Sequence, residues 1–151
     1  MKYLIIIFSL LIVSGCGNCD HCDDQPVIYD YTFLNNSGFT LEIVPFDNGL
    51  PNYSKKVTVP NNAKIQKQYK DGAPYDGYNM GVLLFEANVY ELDIVFNNQK
   101  KVHYKSCSDT NDCNADPRNI FNNLNNGVGT KIYTVTPDDY QNAGSCSGNC
   151  Y

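Results

Sequence analysis

Short segments of alternating apolar and polar residues, separated by turn residues, run through most of this chain of 151 residues. In the clearest segment, 89–96, the apolar residues Leu92, Ile94 and Phe96 alternate with acidic ones. A period of two predicts strands with one buried face, and no segment has the period of a long helix. The sequence therefore predicts an all-β fold of seven or eight short strands. An antiparallel β-sandwich, Ig-like or similar, is favoured over a partly closed barrel.

The predicted strands cover 27–34, 39–46, 55–59, 63–69, 89–96, 100–104 and 131–135, and 81–85 fits either an edge strand or a turn of helix. The first four segments predict two successive hairpins, and 97–99 predicts the turn of a third. Thr136-Pro137-Asp138-Asp139 predicts the start of a short C-terminal helix. Threonine would be its N-cap, proline its first residue, and the two acids would lie in its first turn.

The N-terminus has the features of an export signal. An apolar run of 11 residues, 3–13, follows Met1-Lys2 and is too short to cross a bilayer, for which about 20 residues are needed. Val13-Ser14-Gly15-Cys16 resembles the lipobox of bacterial lipoproteins. The resemblance implies a diacylglycerol thioether on Cys16, cleavage before it, and acylation of the new amino terminus with a chain such as palmitate. The alternative is an ordinary signal peptide that leaves Cys16 as a thiol.

The domain organisation follows from this signal. We expect a signal peptide at 1–15, a Cys- and Asp-rich tether at 16–26, a β-sandwich domain at 27–143 and a Cys-containing tail at 144–151. By the sorting rule of Gram-negative lipoproteins, Gly17 in place of Asp after the lipidated cysteine implies the outer membrane. The acidic tether resembles the surface-export signals of Bacteroidetes-type lipoproteins, or it is a solvated linker. The periplasmic and the surface-facing side both stay open.

Six cysteines remain when Cys16 is set apart, and an even number in an exported chain predicts disulfides. They form three sequential pairs: Cys19 and Cys22, Cys107 and Cys113, and Cys146 and Cys150. The spacing predicts local closure of the last two pairs. The N-terminal pair either closes on itself or bridges to the C-terminal pair.

Metal binding is the alternative use of these cysteines. Cys19, His21 and Cys22 offer two thiolates and an imidazole, which Cys146 and Cys150 could complete to a tetrahedral zinc or copper site. A c-type haem is excluded because no histidine follows the second cysteine. A thioredoxin-like motif lacks its βαβ context.

A second candidate metal site lies between Cys107 and Ile120. Four residues there carry hard oxygen ligands of the kind that calcium prefers: Asp109, Asn111, Asp112 and Asp116. Asn114 and Ile120 replace the glycine and the glutamate that an EF-hand loop requires. A solvated, Asx-rich turn is therefore the favoured interpretation.

Three segments of the second half, 87–101, 118–120 and 133–140, resemble a pattern in small uncharacterised outer-membrane lipoproteins of Bacteroidetes-type bacteria. In that pattern a strand–turn–strand hairpin precedes an Arg-Asn segment and a closing strand that leads into a helix start. The resemblance implies structural roles for these residues, supports the envelope location and supplies no activity.

Composition and motifs exclude several activities. With 16 acidic against 11 basic residues and a net charge of -5, the chain is a poor nucleic-acid partner. His103 is the only histidine of the predicted domain, and its position on a hairpin strand favours a structural role. No phosphate-binding glycine loop occurs. We therefore predict a protein that is not an enzyme and has no cofactor, with a hydrolase of unrecognised site as an alternative.

The loop 70–80 is the candidate contact surface. It combines tyrosine, glycine and asparagine, a mixture typical of binding loops, and its Tyr75 and Tyr78 are the candidate contact residues. The alternative is that both tyrosines fold back onto the rim of the sandwich. The sequence thus predicts a lipid-anchored envelope protein that serves as a binding, adhesion or accessory module for an envelope protein or a glycan. A metal-binding lipoprotein is the other alternative.

Overall fold

The computed structural model of the protein describes residues 25–151. This part of the chain forms two short α-helices and nine strands, of which two have only two residues. The elements are β1 (Val27–Asn35), β2 (Leu41–Asp47), β3 (Leu50–Pro51), β4 (Val57–Val59), β5 (Lys64–Asp71), α1 (Met80–Phe85), β6 (Glu91–Phe96), β7 (Lys100–Lys105), β8 (Gly129–Val135), α2 (Pro137–Asn142) and β9 (Gly144–Ser145).

The strands form two sheets, which confirms the prediction of an all-β, sandwich-like fold. The first sheet has the order β5-β1-β8, and the second has the order β3-β2-β6-β7-β9, with β4 also paired to β2. One buried hydrophobic core takes side chains from both sheets, among them Tyr31 and Phe33 of β1 and Ile43 and Ile94 of the second sheet. The pairing is antiparallel except between β1 and β8, which are parallel.

The prediction of two successive hairpins for the first four strands is wrong. β1 pairs with β5 and β8, whereas β2 pairs with β4 and β6. The buried Asn35 explains why β1 does not turn back on β2, because its amide donates to the carbonyls of Phe39 (2.7 Å) and Val59 (2.9 Å). These bonds stabilise a crossing from the first sheet to the second.

The predicted third hairpin is confirmed. β6 and β7 pair in register, and the two central residues of their turn, Asn97 and Asn98, have φ angles of 47° and 54°. Phe96 pairs with Lys100, so the connection has three residues, 97–99, and the Gln99 N–H donates to the Phe96 carbonyl at 2.9 Å; its first two residues are left-handed. Asparagine tolerates this conformation better than other residues with a side chain do.

Both helices are short and capped. The segment that fitted either a strand or a helix is α1, where the Asn79 side chain accepts from the N–H of Val82 and Glu86 ends the helix in the left-handed conformation. α2 has the predicted threonine cap, with reciprocal hydrogen bonds between Thr136 and Asp139. No helix between residues 25 and 151 is long and apolar enough to span a membrane.

Candidate functional site

Tyr78 is fixed from two sides where the loop between β5 and α1 reaches the helix. Its ring stacks on Tyr69 with centroids 4.4 Å apart and meets Tyr29 edge-on at 5.5 Å. The hydroxyl of the buried Tyr31 donates to its carbonyl at 2.6 Å. Burial raises the pKa of both Tyr31 and Tyr69, so these neighbours stay neutral well above physiological pH. The loop is therefore attached to the aromatic end of the core.

Asp71 and Gly77 hold the middle of the same loop. Asp71 is buried at the end of β5, and its carboxylate accepts the Gly77 N–H at 2.8 Å. Gly77 has φ +76°, a conformation that favours glycine. Tyr75, nearer the tip, donates its hydroxyl to the carbonyl of Gln25 at 2.9 Å. The loop thus has fixed contacts along its length although it contains no regular structure.

The wall opposite this loop is the end of α1 and the segment after it. A Cβ on Gly81 would lie 2.9 Å from the carbonyl oxygen of Val89, so glycine permits the helix to pack closely on the following segment. The carboxylate of Glu86 accepts a hydrogen bond from the ammonium group of Lys67 at 3.2 Å, and this bond raises the pKa of Lys67. Both walls are therefore held by neighbouring strands and turns.

Between the two walls lies a surface cleft of about 240 Å³. Its lining combines one aromatic ring, two acidic groups, one amide and small apolar groups: Asp76, Gly77, Tyr78, Val82, Glu86, Ala87 and Asn88. The cleft is shallow and largely open to solvent, and it presents both polar and apolar groups that a small ligand can contact. The cleft is the candidate functional site of the described residues.

The two tyrosines predicted as contact residues have different environments. The half-buried Tyr78 folds back onto the core, as the alternative interpretation had it, and it also lines the cleft. Tyr75 is 44% exposed and contributes its hydroxyl bond to Gln25. The sequence pattern did not indicate the opposite wall, because Val82, Glu86 and Asn88 approach the loop only after α1 has packed.

Three of the four candidate calcium ligands form hydrogen bonds with backbone groups. Asn111 donates to the carbonyls of Lys105 and Ser106, at 3.1 and 2.8 Å. Asp112 accepts the N–H of Asn114 at 3.0 Å, and Asp116 accepts that of Arg118 at 2.8 Å. Asp109 is exposed. These are the contacts of an Asx-rich turn, which was the favoured interpretation, and calcium binding stays a prediction.

Both local disulfides are present. Cys107 is bonded to Cys113, with Cα atoms 4.7 Å apart, and Cys146 is bonded to Cys150, with Cα atoms 5.1 Å apart. A bridge from the N-terminal pair to the C-terminal pair is therefore wrong.

These bonds also bear on the proposed metal site. Bonded to each other, Cys146 and Cys150 cannot act as two thiolate ligands, so the four-cysteine version of that site is wrong as well. Cys16, Cys19, His21 and Cys22 lie outside the described residues. Within 25–151, no group of three or more His, Cys, Asp and Glu side chains is arranged to hold a metal ion.

His103 belongs to a charged cluster on the outer face of the second sheet. The register of β6 and β7 places His103 opposite Asp93, and its Nδ1 lies 2.8 Å from an Asp93 carboxylate oxygen. Its Nε2 lies 3.2 Å from a Glu91 oxygen, and the ammonium group of Lys101 is 2.8 Å from Asp93. Asp93 is only 4% exposed, so these partners compensate a buried charge. Strand alternation alone could have placed these residues on one face, but not in contact.

Two segments that the sequence analysis compared with the lipoprotein pattern, 118–120 and 133–140, contact each other. The guanidinium of Arg118 donates two hydrogen bonds to the Asp139 carboxylate, at 2.6 and 2.8 Å, and a third to the carbonyl of Thr134 at 2.8 Å. The Tyr133 hydroxyl donates to the carbonyl of Arg118 at 2.7 Å. Burial lowers the pKa of Arg118, but the bonds to Asp139 and the charge interactions with Asp139 and two tyrosines together raise it above its ordinary value. These contacts join the loop before β8 to the cap of α2.

Comparisons with known proteins give no match: no family model, no curated protein and no solved structure resembles the chain.

Proposed function

We propose that the protein is a lipid-anchored, non-catalytic binding module of the bacterial outer membrane. The observation that carries the binding role is the cleft, because its walls are held in place by the core while several of its polar groups have no partner among the described residues. Preformed concavity of this kind lowers the entropic cost of binding. Partners are an envelope protein or a glycan.

Two features support the envelope location. Val13-Ser14-Gly15-Cys16 provides the lipobox-like motif, and acyl chains on Cys16 would contribute about 0.8 kcal/mol for each buried CH₂. The two local disulfides fit an oxidising compartment, since such bonds are rare in reducing cytosols. The lipobox-like motif and the two disulfides therefore both support export of the protein.

The anchoring test is metabolic labelling of the full chain in a Gram-negative host with an alkyne analogue of palmitate, followed by fractionation of the two membranes. We expect label in the wild type, in the outer-membrane fraction, and none in Cys16→Ser. Cys146→Ser/Cys150→Ser is the control, because it removes two cysteines outside the lipobox together, leaves no unpaired thiol and should keep the label. Label retained in Cys16→Ser, or an unlabelled protein released from the membrane, would contradict the proposal.

A further arm tests the sorting rule. Gly17→Asp should move the labelled protein from the outer-membrane fraction to the inner-membrane fraction without reducing the label. If Gly17→Asp leaves the distribution unchanged, Gly17 does not direct sorting, and the outer-membrane assignment loses its support while the anchor stands.

A further inference from the structure

We infer that the cleft binds the end of a neutral glycan, one or two sugar units long; this rests on the proposed function and names its ligand class. The first argument is hydrogen bonding. Asp76, Asn88 and Tyr78 line the cleft, and neither the first two side chains nor the Tyr78 hydroxyl has a hydrogen bond to another described residue. They offer an acceptor, an amide with both donors and an acceptor, and a hydroxyl. Sugar hydroxyls, which donate and accept, complement all three.

The second argument is the apolar part of the lining. Val82, Ala87 and Tyr78 are the residues of the lining that have apolar side-chain groups. A pyranose ring has C–H-rich faces that pack on aliphatic and aromatic surfaces, whereas its rim carries the hydroxyls. A lining that combines an apolar surface with polar groups at its margin therefore fits a sugar better than a purely ionic ligand.

Charge selects among glycans. Among residues 25–151, no lysine or arginine lines the cleft, and Glu86 is already paired with Lys67 at 3.2 Å. Asp76 is then the one carboxylate of the lining without a cationic partner among residues 25–151. Acidic sugars and phosphorylated groups would meet this negative charge with no compensating cation. A single, solvated carboxylate is also a weak site for a free cation, because surface ion pairs contribute little.

Rigidity and size limit the ligand further. Asp71, Tyr31 and Tyr69 fix the loop wall, so little conformational freedom is lost on binding. A volume of about 240 Å³ is below the range of about 300–1,000 Å³ typical of drug-sized ligands. The cleft therefore suits a chain end and not a long polysaccharide segment. With so few contacting atoms, we expect dissociation constants of about 0.1–1 mM.

The test is saturation-transfer NMR and amide-shift titration of the mature protein, held in a detergent without sugar head groups. Cellobiose, lactose, chitobiose and mannobiose are the neutral probes, digalacturonate is the acidic probe and cadaverine is the cationic probe. We expect at least one neutral disaccharide to bind with shifts confined to the cleft residues. Digalacturonate and cadaverine should bind at least tenfold more weakly than that disaccharide.

Variants locate the binding. Asn88→Ala and Asp76→Ala should each weaken the bound disaccharide five- to tenfold, as the loss of one or two hydrogen bonds would. Asn149→Ala and Asp109→Ala are the matched controls, since both change exposed residues outside the cleft and should leave the affinity unchanged. Amide spectra of all four variants check that the fold is retained.

Three results would overturn the inference: no neutral disaccharide binding at up to about 10 mM, tighter binding of cadaverine or digalacturonate, or full affinity in both cleft variants. The proposed function fails separately. If no sugar binds while the wild type carries the acyl label in the outer-membrane fraction and Cys16→Ser does not, the glycan is wrong and the anchor stands. If Cys16→Ser keeps its acyl label, the anchor is wrong whatever the sugar result.

Discussion

Two polar segments that lie between strands, 106–128 and 72–88, use their side chains in opposite ways. In the segment 106–128, side-chain amides form hydrogen bonds with the backbone. Asn122, for example, donates to the carbonyls of Asn114 (3.2 Å) and Asp116 (3.0 Å). The segment 72–88 is held by the core but leaves Asp76 and Asn88 without partners among the described residues. A polar segment between strands is therefore a candidate binding site only where its polar groups are left over after folding.

The largest effect should come from the asparagine at the centre of segment 106–128. Asn122 is 2% exposed, and besides its donor bonds its oxygen accepts the N–H of Leu124 at 2.8 Å. Asn122→Ala would leave several buried backbone groups unpaired, so we expect the free energy of unfolding to fall by about 2–4 kcal/mol. Urea unfolding measures it. A loss below about 1 kcal/mol would mean that the hydrogen bonds of Asn122 do not stabilise the segment 106–128.

The disulfides should rank second. Removal of Cys107–Cys113 in Cys107→Ser/Cys113→Ser should cost about 2–3 kcal/mol, because a short loop loses its closure and Cys113 is 2% exposed. Cys146→Ser/Cys150→Ser should cost less than about 2 kcal/mol, since both of those cysteines are partly exposed. Thermal and urea unfolding of the two double variants compare them. An equal loss in the two double variants would show that the burial of Cys113 adds nothing to the contribution of the Cys107–Cys113 disulfide.

A third effect should appear at alkaline pH. Burial raises the pKa of Tyr133 well above its ordinary value of about 10. In the unfolded chain this tyrosine loses its proton near pH 10, whereas the folded state keeps it. Its contribution is therefore fully present below pH 10 and is lost as the pH rises toward the folded pKa, by at most about 1.4 kcal/mol at pH 11.

Tyr133→Phe separates this effect from general alkaline unfolding. The variant starts less stable, because the bond to the carbonyl of Arg118 at 2.7 Å is gone, but its stability should fall less steeply between pH 9 and 11. Tyr90→Phe is the control, since this tyrosine is 61% exposed, and it should keep the wild-type slope. Parallel slopes for wild type and Tyr133→Phe would show that Tyr133 does not carry the dependence.

The smallest effect on stability should come from the cleft. Asp76→Ala and Asn88→Ala remove groups that have no described partner, so each should change the free energy of unfolding by less than about 0.5 kcal/mol. Urea unfolding beside Asn122→Ala gives the comparison directly. A cleft variant that destabilised the protein by about 2 kcal/mol would remove the distinction between the two segments.

The sequence by itself determined the local features. Alternation placed the strands, the residues 97–99 specified a turn, Thr136 specified the cap of α2, and short spacing specified the two disulfides. Each depends on residues close together in the chain, whose preferences act whatever the rest of the fold does.

Only the tertiary structure decided what lies far apart in sequence. The partners of β1, the position of His103 between Asp93 and Glu91, and the meeting of the loop 72–79 with the end of α1 follow from how two sheets bury one common core. Side-chain period fixes which face a residue takes, but not which strand lies beside it. The pairing that buries the most apolar surface selects the neighbours, and that surface is a sum over the whole chain.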